Sequence, residues 1–354
     1  MKQHLAILAA LLILTACAPK SQPAAITTAT ATPVTASMTP AVPSAPMPTL
    51  PARGAANPSP TPPATATNGT FARQYLQAIV GEIGRREPGT KEERLTAQYI
   101  QDMFKAFGYA PTTQKFSVYD KEAGQDFKSS NVIAVKAGLS DKVIVVGAHY
   151  DSPYEDGSKG ADDNASGVAV MLEVAKLVKA LETPYTIQFI AFGAEEFNLN
   201  GSTYFVDNLA TTERKNIVGM FNLDSLIASD KSYIYGNAGP GTMRDWVIKA
   251  AARRKMALES KTAQEMNNAD GSPCECADYD AFERAGIPYA YFEATNWDLS
   301  ADGMTQVDVR YGDQGKIRHT KYDTLAYIEA TFPNRIDQHL NLFVTLLFDL
   351  LTQY

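Results

Sequence analysis

The chain is poor in the residues that bind metals most strongly. Its 354 residues include three cysteines and four histidines, and the net charge is −7. No segment is basic enough to predict nucleic-acid binding. Cys274 and Cys276 form a C-x-C pair without further partners at the usual zinc spacing, so a thiolate zinc site is not expected. A local disulfide and two free thiols both remain open for this pair.

The amino terminus lacks an apolar run long enough to form a permanent membrane-spanning helix. Its apolar core covers residues 5–14, follows Lys2 and precedes Leu14-Thr15-Ala16-Cys17. This order predicts a signal peptide over residues 1–16. The motif Leu14-Thr15-Ala16-Cys17 resembles a bacterial lipobox. We therefore expect an exported protein, lipidated at Cys17 and held on the periplasmic or cell-surface face of a membrane. An ordinary signal peptide cut near Ala16 or Ala18 is the alternative.

Residues 17–70 have little charge and few large apolar side chains. Twelve of the twenty prolines lie in this segment, and its charged residues are Lys20 and Arg53. Such a composition cannot bury enough apolar surface to offset the entropy lost on ordering. The sequence predicts an extended, disordered linker between the lipid anchor and a folded domain. Ala18, directly after the cysteine, is compatible with transport to an outer membrane where one exists.

Residues 71–354 have a globular composition, with no second linker and no internal repeat. Continuous apolar runs at 143–148 and 186–192 are typical of strands buried on both faces of a sheet. Further strands are expected at 112–118, 131–135, 217–223 and 289–292, and helices at 71–86, 90–108, 164–181, 201–209, 241–254 and 334–351. Thr90 and Glu93 fit a capping box. The alternation predicts an α/β fold, a three-layer αβα sandwich around a mixed, mostly parallel sheet.

Carboxylates and a histidine follow several of these strands. His149-Tyr150-Asp151, Glu195-Glu196 and Asp224 end three strands, and Asp162-Asp163-Asn164 begins a helix. In such folds ligands gather at the carboxyl ends of the strands. Close carboxylates repel one another unless a cation lies between them. His149 and His319 favour zinc over calcium or magnesium, and the number of carboxylates suits two ions better than one. His339 is expected to be a solvated surface residue.

Five motifs then carry a specific resemblance. They are His149-Tyr150-Asp151, the segment 160–167 (GADDNASG), Ala194-Glu195-Glu196, Asn222-Leu223-Asp224 and the segment 319–324 (HTKYDT). In this order they resemble the co-catalytic di-zinc aminopeptidases of the MH clan, which include the bacterial aminopeptidase linked to alkaline phosphatase isozyme conversion. The resemblance covers residues 71–354. It implies a metallo-exopeptidase that hydrolyses the amino-terminal peptide bond of peptides with a free amino terminus.

The resemblance also implies a role for each matching residue. His149 and Asp224 would hold one zinc ion, Glu196 and His319 the other, and Asp163 would bridge them. Glu195 would be the general base towards a metal-activated water. Asp151 would accept a hydrogen bond from the far nitrogen of His149. Asp162 is more simply a helix cap, and Asp323 a loop or supporting residue.

The substrate pocket is less well defined by the sequence. Tyr279 and Phe282 lie in a segment that resembles the pocket wall of the family, although ordinary core packing explains them as well. Several relatives have a tyrosine directly before the last histidine ligand, whereas this chain has Arg318. Arg318, a nearby tyrosine such as Tyr311, or zinc alone would then stabilise the oxyanion.

Three other functions are compatible with the fold. Glutaminyl-peptide cyclotransferase uses a single zinc on the same fold, but its members usually replace the Asp-Asn-Ala-Ser-Gly motif that is intact here. An inactive binding module would lack a ligand or the base, and none is missing. A carboxypeptidase would need a cationic clamp for the free carboxylate of its substrate, and no motif points to one.

Overall fold

The structure, a computed structural model, describes residues 68–121, 123–266, 274–301 and 303–354, all within one compact unit. The predicted signal peptide, Cys17 and residues 17–67 of the predicted linker lie outside the described residues. The folded unit includes Asn68 and Gly69, which the sequence placed in the linker. The Asn68 side chain donates to Thr345 Oγ1 at 2.9 Å. Within the described ranges no helix is long and apolar enough to cross a bilayer.

One eight-stranded sheet forms the centre of this unit. Its strands lie in the order β1-β2-β4-β3-β5-β8-β6-β7, with parallel pairing from β4 through β3 and β5 to β8. The outer pairs β1/β2, β2/β4 and β6/β8 are antiparallel. The sheet is therefore mixed with a parallel centre, as predicted. The strands are β1 Thr112–Asp120, β2 Gln125–Lys136, β3 Ser140–His149, β4 Tyr185–Phe192, β5 Ile217–Leu223, β6 Tyr233–Gly236, β7 Glu259–Ser260 and β8 Tyr289–Glu293.

Helices cover both faces of the sheet, which confirms the three-layer prediction. The larger apolar core packs α1, α2, α3, α6 and α10 against one face, and a second core involves α4 and α8. A π-helical turn, Ile79–Ile83, continues α1, and an irregular turn, Ala161–Ser166, precedes α3. The helices are α1 Thr70–Ala78, α2 Lys91–Ala106, α3 Gly167–Val178, α4 Asn200–Asp207, α5 Thr211–Asn216, α6 Met243–Arg254, α7 Ala263–Met266, α8 Tyr279–Arg284, α9 Leu325–Thr331 and α10 Arg335–Gln353.

The start of α2 shows how local sequence fixes a helix end. Thr90 is the N-cap, and its side chain accepts the backbone N–H of Glu93 at 3.2 Å, as a capping box requires. The Glu93 carboxylate, however, accepts from the backbone N–H of Gly89 at 2.6 Å instead of from Thr90. The helix therefore begins where the sequence predicts, but the Glu93 carboxylate binds the amide of Gly89, one residue before the N-cap.

Candidate metal centre

The candidate ligands come together because the parallel strands end at one edge of the sheet. His149 is the last residue of β3, Asp224 follows β5, and Glu195 and Glu196 follow β4. Asp163 lies in the turn before α3, and His319 in the loop before α9. Side chains separated by up to 170 positions in the sequence thus meet in one pocket.

Asp163 lies between the two histidines. Its Oδ1 is 3.2 Å from His149 Nε2, and its Oδ2 is 3.0 Å from His319 Nε2. On the first side Asp224 Oδ1 is 3.5 Å from His149 Nε2, and on the second Glu196 Oε2 is 3.4 Å from His319 Nε2. In each group of three residues the candidate ligand atoms lie within 4.8 Å of one another. The pocket therefore offers two overlapping sets of donors that share Asp163.

The buried donors of this pocket fit a metal ion. Among the described residues, both ring nitrogens of His149 and Oε1 of Glu196 lack a hydrogen-bond partner. A buried polar atom without a partner costs free energy, so such atoms usually have one, and a bound ion would supply it here. Imidazole nitrogens combined with carboxylate oxygens are donors that zinc accepts.

The electrostatics of the pocket reflect the crowding of acidic groups. Burial, together with Glu196, raises the pKa of Glu195 well above its usual range, although His149 opposes the shift. Burial and Asp163 raise the pKa of Glu196 in the same way. Burial also acts to raise the pKa of Asp163, but the two histidines outweigh it and lower that pKa. A cation would relieve the remaining repulsion between the carboxylates.

The Asp-Asn-Ala-Ser-Gly motif holds the turn that carries Asp163 against the end of β5. Asn164 Nδ2 donates to the carbonyl oxygen of Leu223 at 2.8 Å, and its Oδ1 accepts the N–H of Gly167 at 2.9 Å. A Cβ at Gly167 would lie 2.4 Å from Asn164 Oδ1 and 2.5 Å from the Leu223 oxygen, so only glycine fits there. Ser166 Oγ accepts the N–H of Leu226 at 2.9 Å. The motif thus sets the distance between Asp163 and Asp224.

Asp162 and Asp323 support this turn from either side. Asp162 Oδ1 accepts the N–H groups of Ile227 and Ala228 at 2.7 and 3.0 Å. It therefore caps the loop after β5 and not the helix α3, in contrast to the sequence expectation. Asp323 accepts the N–H groups of Asp162 and Asp163 at 2.6 and 3.1 Å. Each buried carboxylate holds two successive backbone amides and so orients Asp163.

Asp151 has a larger role in the structure than the sequence suggested. Its Oδ1 is 3.6 Å from His149 Nδ1, which is longer than a hydrogen bond. The same carboxylate accepts the backbone N–H groups of Glu195 and Glu196 at 3.1 and 3.0 Å. Asp151 therefore faces His149 and also holds the loop that carries both glutamates.

A cavity of about 770 Å³ opens beside the candidate ligands. Arg318 lines it and forms an ion pair with Glu293, whose other oxygen accepts the Tyr235 hydroxyl at 2.8 Å. Tyr311 packs edge-on against Phe332 and is not among the residues lining this cavity in the described part of the chain. Of the two side chains considered for the oxyanion, the structure places Arg318 at the cavity.

Tyr279 and Phe282 lie in the second core, not at the cavity. Their exposed fractions are 1% and 0%, and Tyr279 stacks on Tyr289 with ring centroids 4.1 Å apart. The core-packing interpretation therefore describes them better than the pocket interpretation. The structure pairs Cys274 with Cys276 as a disulfide beside the cavity, which is one of the two states that the sequence left open.

His339 is buried, so its expected place on the surface was wrong. Its Nδ1 lies 2.8 Å from the carbonyl oxygen of Leu226, in the loop after Asp224. The neighbouring Gln338 suggested a polar face, but helix α10 turns His339 towards the core. Burial lowers the pKa of His339 to about 4, because the charged imidazolium would lose its hydration.

Sequence reasoning missed Arg86 entirely. Its guanidinium is fully buried and donates to four backbone carbonyl groups, those of Gly84, Tyr150, Lys159 and Gly160. It thereby ties the segment after α1 to the loop after His149 and to the residue before the Asp163 turn. A lone arginine in a loop carries no sequence signal for this role, because its acceptors are main-chain atoms.

Comparisons with known proteins agree with this geometry. The profile of Peptidase family M28 matches residues 131–344. The chain is 31% identical over 299 residues to the alkaline phosphatase isozyme conversion protein of Escherichia coli, covering 76% of this chain and 86% of that protein. It is 33% identical over 251 residues to the probable lipoprotein aminopeptidase LpqL of Mycobacterium tuberculosis, covering 62% of this chain and 45% of that protein.

Solved structures show the same fold. A zinc aminopeptidase of Bacillus subtilis, BSAP, superposes with a TM-score of 0.63 at 19% identity, covering 81% of this chain and 96% of that one. The glutaminyl cyclase of Porphyromonas gingivalis superposes with a TM-score of 0.61, also at 19% identity, covering 81% and 99%. At this identity the two superpositions show the fold alone, which therefore does not separate the two activities.

Proposed function

Because this chain belongs to peptidase family M28, we propose that it is a zinc-dependent aminopeptidase that removes residues from the free amino end of peptides. One observation carries the proposal. The carboxylate of Asp163 has one oxygen 3.2 Å from His149 Nε2 and the other 3.0 Å from His319 Nε2, which suits a bridge between two cations. The names of the relatives, an aminopeptidase among them, support the same class of reaction.

We assign two zinc ions to the pocket. His149, Asp224 and Asp163 would hold one ion, and Glu196, His319 and Asp163 the other. When bound, zinc supplies a Lewis acid that polarises a carbonyl group and lowers the pKa of water. The protein's part is to keep both donor sets in place through Asp151, Asp162 and Asp323.

Glu195 is suited to act as the general base. Its carboxylate lines the cavity and lies 3.8 Å from His149 Nε2. In our proposal it takes a proton from the attacking water and delivers it to the leaving amine. Burial raises the pKa of Glu195, whereas bound cations would act to lower it.

Arg318 is proposed to face the carbonyl oxygen of the substrate. Its ion pair with Glu293, which is itself held by Tyr235, keeps the guanidinium at the cavity wall. A fixed cation at that position stabilises negative charge that develops on the oxygen during attack.

The deciding experiment measures zinc content and substrate range together. Purified protein loaded with zinc is assayed on a panel of aminoacyl anilides and amides, with amino-terminally acetylated forms as matched controls and one amino-terminal glutamine substrate. We expect two zinc ions per chain and release of the first residue from unblocked substrates only. A single zinc together with cyclisation of the glutamine substrate would establish the cyclase instead. Cleavage of acetylated substrates would refute the exopeptidase assignment.

We also propose that lipid on Cys17 anchors the enzyme to a membrane. The support is the lipobox-like sequence and the name of the lipoprotein relative LpqL. Expression with an alkyne-labelled fatty acid should label the wild-type protein in the membrane fraction. Cys17→Ala should abolish both the labelling and the membrane association, and labelling that persists in the variant would contradict the anchor.

A further inference from the structure

We propose that Gln306 is a positioning residue that ties the loop of His319 to the turn before α3, which carries the bridging carboxylate; the inference rests on the proposed function. Gln306 lies between β8 and α9 and is fully buried. Its Oε1 accepts the backbone N–H groups of Ile317 and Arg318 at 3.0 and 2.8 Å. Its Nε2 donates to Asp162 Oδ2 at 2.6 Å.

The surroundings of the Gln306 amide allow one orientation. Two backbone N–H groups face its oxygen, while Asp162 Oδ2 and the carbonyl oxygen of Ala294, at 3.3 Å, face its nitrogen. A primary amide offers two lone pairs and two N–H groups, and all of them are used here. The main chain of Gln306 is held as well, because its carbonyl oxygen accepts the Ser229 hydroxyl at 2.6 Å and its N–H donates to Gly315 at 2.9 Å. The bridge is therefore fixed in place.

Asp162 connects this bridge to the metal centre. Its Oδ1 accepts two amides of the loop after β5, and its Oδ2 accepts the Gln306 amide. Asp323 accepts the backbone N–H groups of both Asp162 and Asp163. Because Asp163 follows Asp162 directly in the chain, Gln306 is linked to the proposed bridging ligand through one residue.

At the other end of the bridge, His319 depends on its backbone more than on packing. Its side chain is 56% exposed, so neighbouring side chains restrain it little. Its φ of 55° lies in the left-handed region, which residues with a Cβ adopt at a cost in free energy. The two amides that Gln306 accepts belong to the two residues directly before it. Gln306 thus holds the segment from which His319 Nε2 reaches Asp163 Oδ2, 3.0 Å away.

The two donor sets differ in how far they depend on this bridge. His149 ends β3 and Asp224 directly follows β5, so the sheet holds both. His319 lies in the loop before α9, where hydrogen bonds from Gln306 take the place of a strand. Loss of the bridge should therefore weaken the zinc site of Glu196 and His319 and leave the other site nearly unchanged.

The direct test is Gln306→Met, which keeps the length of the side chain and removes its hydrogen bonds. Zinc binding is measured by competition with a chelating dye, which separates the two ions by affinity. We expect one dissociation constant to rise about 10- to 100-fold and the other to stay within about threefold. In the zinc-free protein, amide exchange at Ile317 and Arg318 should become about 2- to 10-fold faster, as the loss of one hydrogen bond implies. Unchanged affinity for both ions would refute the positioning role.

Glu173→Met is the matched control. Glu173 is also buried and also accepts two backbone amides, those of Gly69 at 2.8 Å and Ala72 at 2.5 Å, but it holds the start of α1. This variant should unfold at a lower temperature while keeping both zinc affinities and slow exchange at Ile317 and Arg318. Equal weakening of zinc binding in both variants would overturn the positioning role, since general destabilisation would then explain it.

An exchange of donor and acceptor tests the bridge itself. Gln306→Glu keeps an acceptor for the two amides but sets a second carboxylate against Asp162. Asp162→Asn, with its remaining oxygen on the loop after β5, sets an amide nitrogen against that of Gln306. Each single variant should weaken zinc binding about 10-fold. In the double variant the introduced amide donates to the introduced carboxylate, so zinc should bind several-fold more tightly than in either single variant.

A double variant that binds zinc no better than the weaker single variant would contradict the bridge. Both single variants keep the size of the side chain, so they decide the question if Gln306→Met does not fold. Wild-type zinc affinity in Gln306→Glu would then refute the inference.

The outcomes separate this inference from the proposed function. A zinc-loaded wild type without aminopeptidase activity would refute the proposed function, whereas zinc affinity and amide exchange still decide the role of Gln306. An active wild type whose Gln306→Met variant keeps both zinc affinities and slow exchange would refute only the positioning role. Weaker binding of one ion with faster exchange at Ile317 and Arg318, in Gln306→Met and not in Glu173→Met, is the result we expect.

Discussion

The buried His339 should make the folded domain sensitive to mild acid. Burial lowers its pKa from 6.5 to about 4, helped by the nearby Arg335. The unfolded chain therefore binds the proton at a higher pH than the folded chain does, so stability is lost as the pH falls below 6.5. His339 causes this loss because helix α10 holds its ring in the core, beside the carbonyl oxygen of Leu226.

The magnitude follows from the two pKa values. One pKa unit corresponds to about 1.4 kcal/mol. At pH 5, about one and a half units below 6.5, His339 is protonated in the unfolded chain but still neutral in the folded chain. We therefore expect His339 to lower the free energy of unfolding by about 2 kcal/mol over this range, with a further loss down to pH 4. The side chain is only 8% exposed, so solvent screening reduces this figure little.

The assay compares urea unfolding of the wild-type protein and of His339→Gln at pH 7 and pH 5, with zinc held at saturation. Glutamine keeps a donor for the Leu226 carbonyl but cannot be protonated. Other titrating groups are common to both proteins, so they cancel when the pH-dependent losses are subtracted. The wild type should lose about 2 kcal/mol more than the variant. Equal losses would refute the burial of a neutral imidazole at this position.

Three further predictions concern the metal centre. Glu195→Gln should retain zinc but lose about 10²- to 10⁴-fold in kcat, because only the base is removed; near-normal turnover would exclude Glu195 as the base. Asp323→Asn should weaken zinc binding by about 10- to 100-fold, measured by competition with a chelating dye, because one of the two amides at Asp162 and Asp163 loses its acceptor. Unchanged zinc affinity would show that Asp323 does not orient Asp163. Arg318→Met should lower kcat about 100-fold with little change in KM, and Arg318→Lys should lose less; equal activity of both variants with the wild type would remove Arg318 from the mechanism.

Local and periodic features of the fold were predictable from the sequence. The runs at 143–148 and 186–192 lie in β3 and β4, and Thr90 caps α2 as expected. Such features depend on neighbours a few positions apart, which a single sequence displays. The short strands β6 and β7 were missed. They are four and two residues long, too short to show a period, and they form because β6 pairs with β8 and β7 pairs with β6.

The candidate ligands were also predictable, since strand ends and motif order placed His149, Asp163, Glu196, Asp224 and His319 at one edge of a parallel sheet. The residues that hold these ligands in position were not predictable. Asp162, Asp323 and Arg86 hold main-chain amides or carbonyls of distant segments, and a main-chain partner leaves no trace in residue identity.

The sequence by itself determined six of the strands, the six predicted helices, the cap of α2 and the chemical types gathered at the strand ends, because these follow from near neighbours and from side-chain chemistry. Only the tertiary structure decided which side chains lie in the core and which line the cavity. His339 on α10, Tyr279 and Phe282 in the second core, and Arg318 at the cavity owe their places to the packing of whole elements. The free energy of that packing is shared among residues far apart in the chain, so no short segment encodes it.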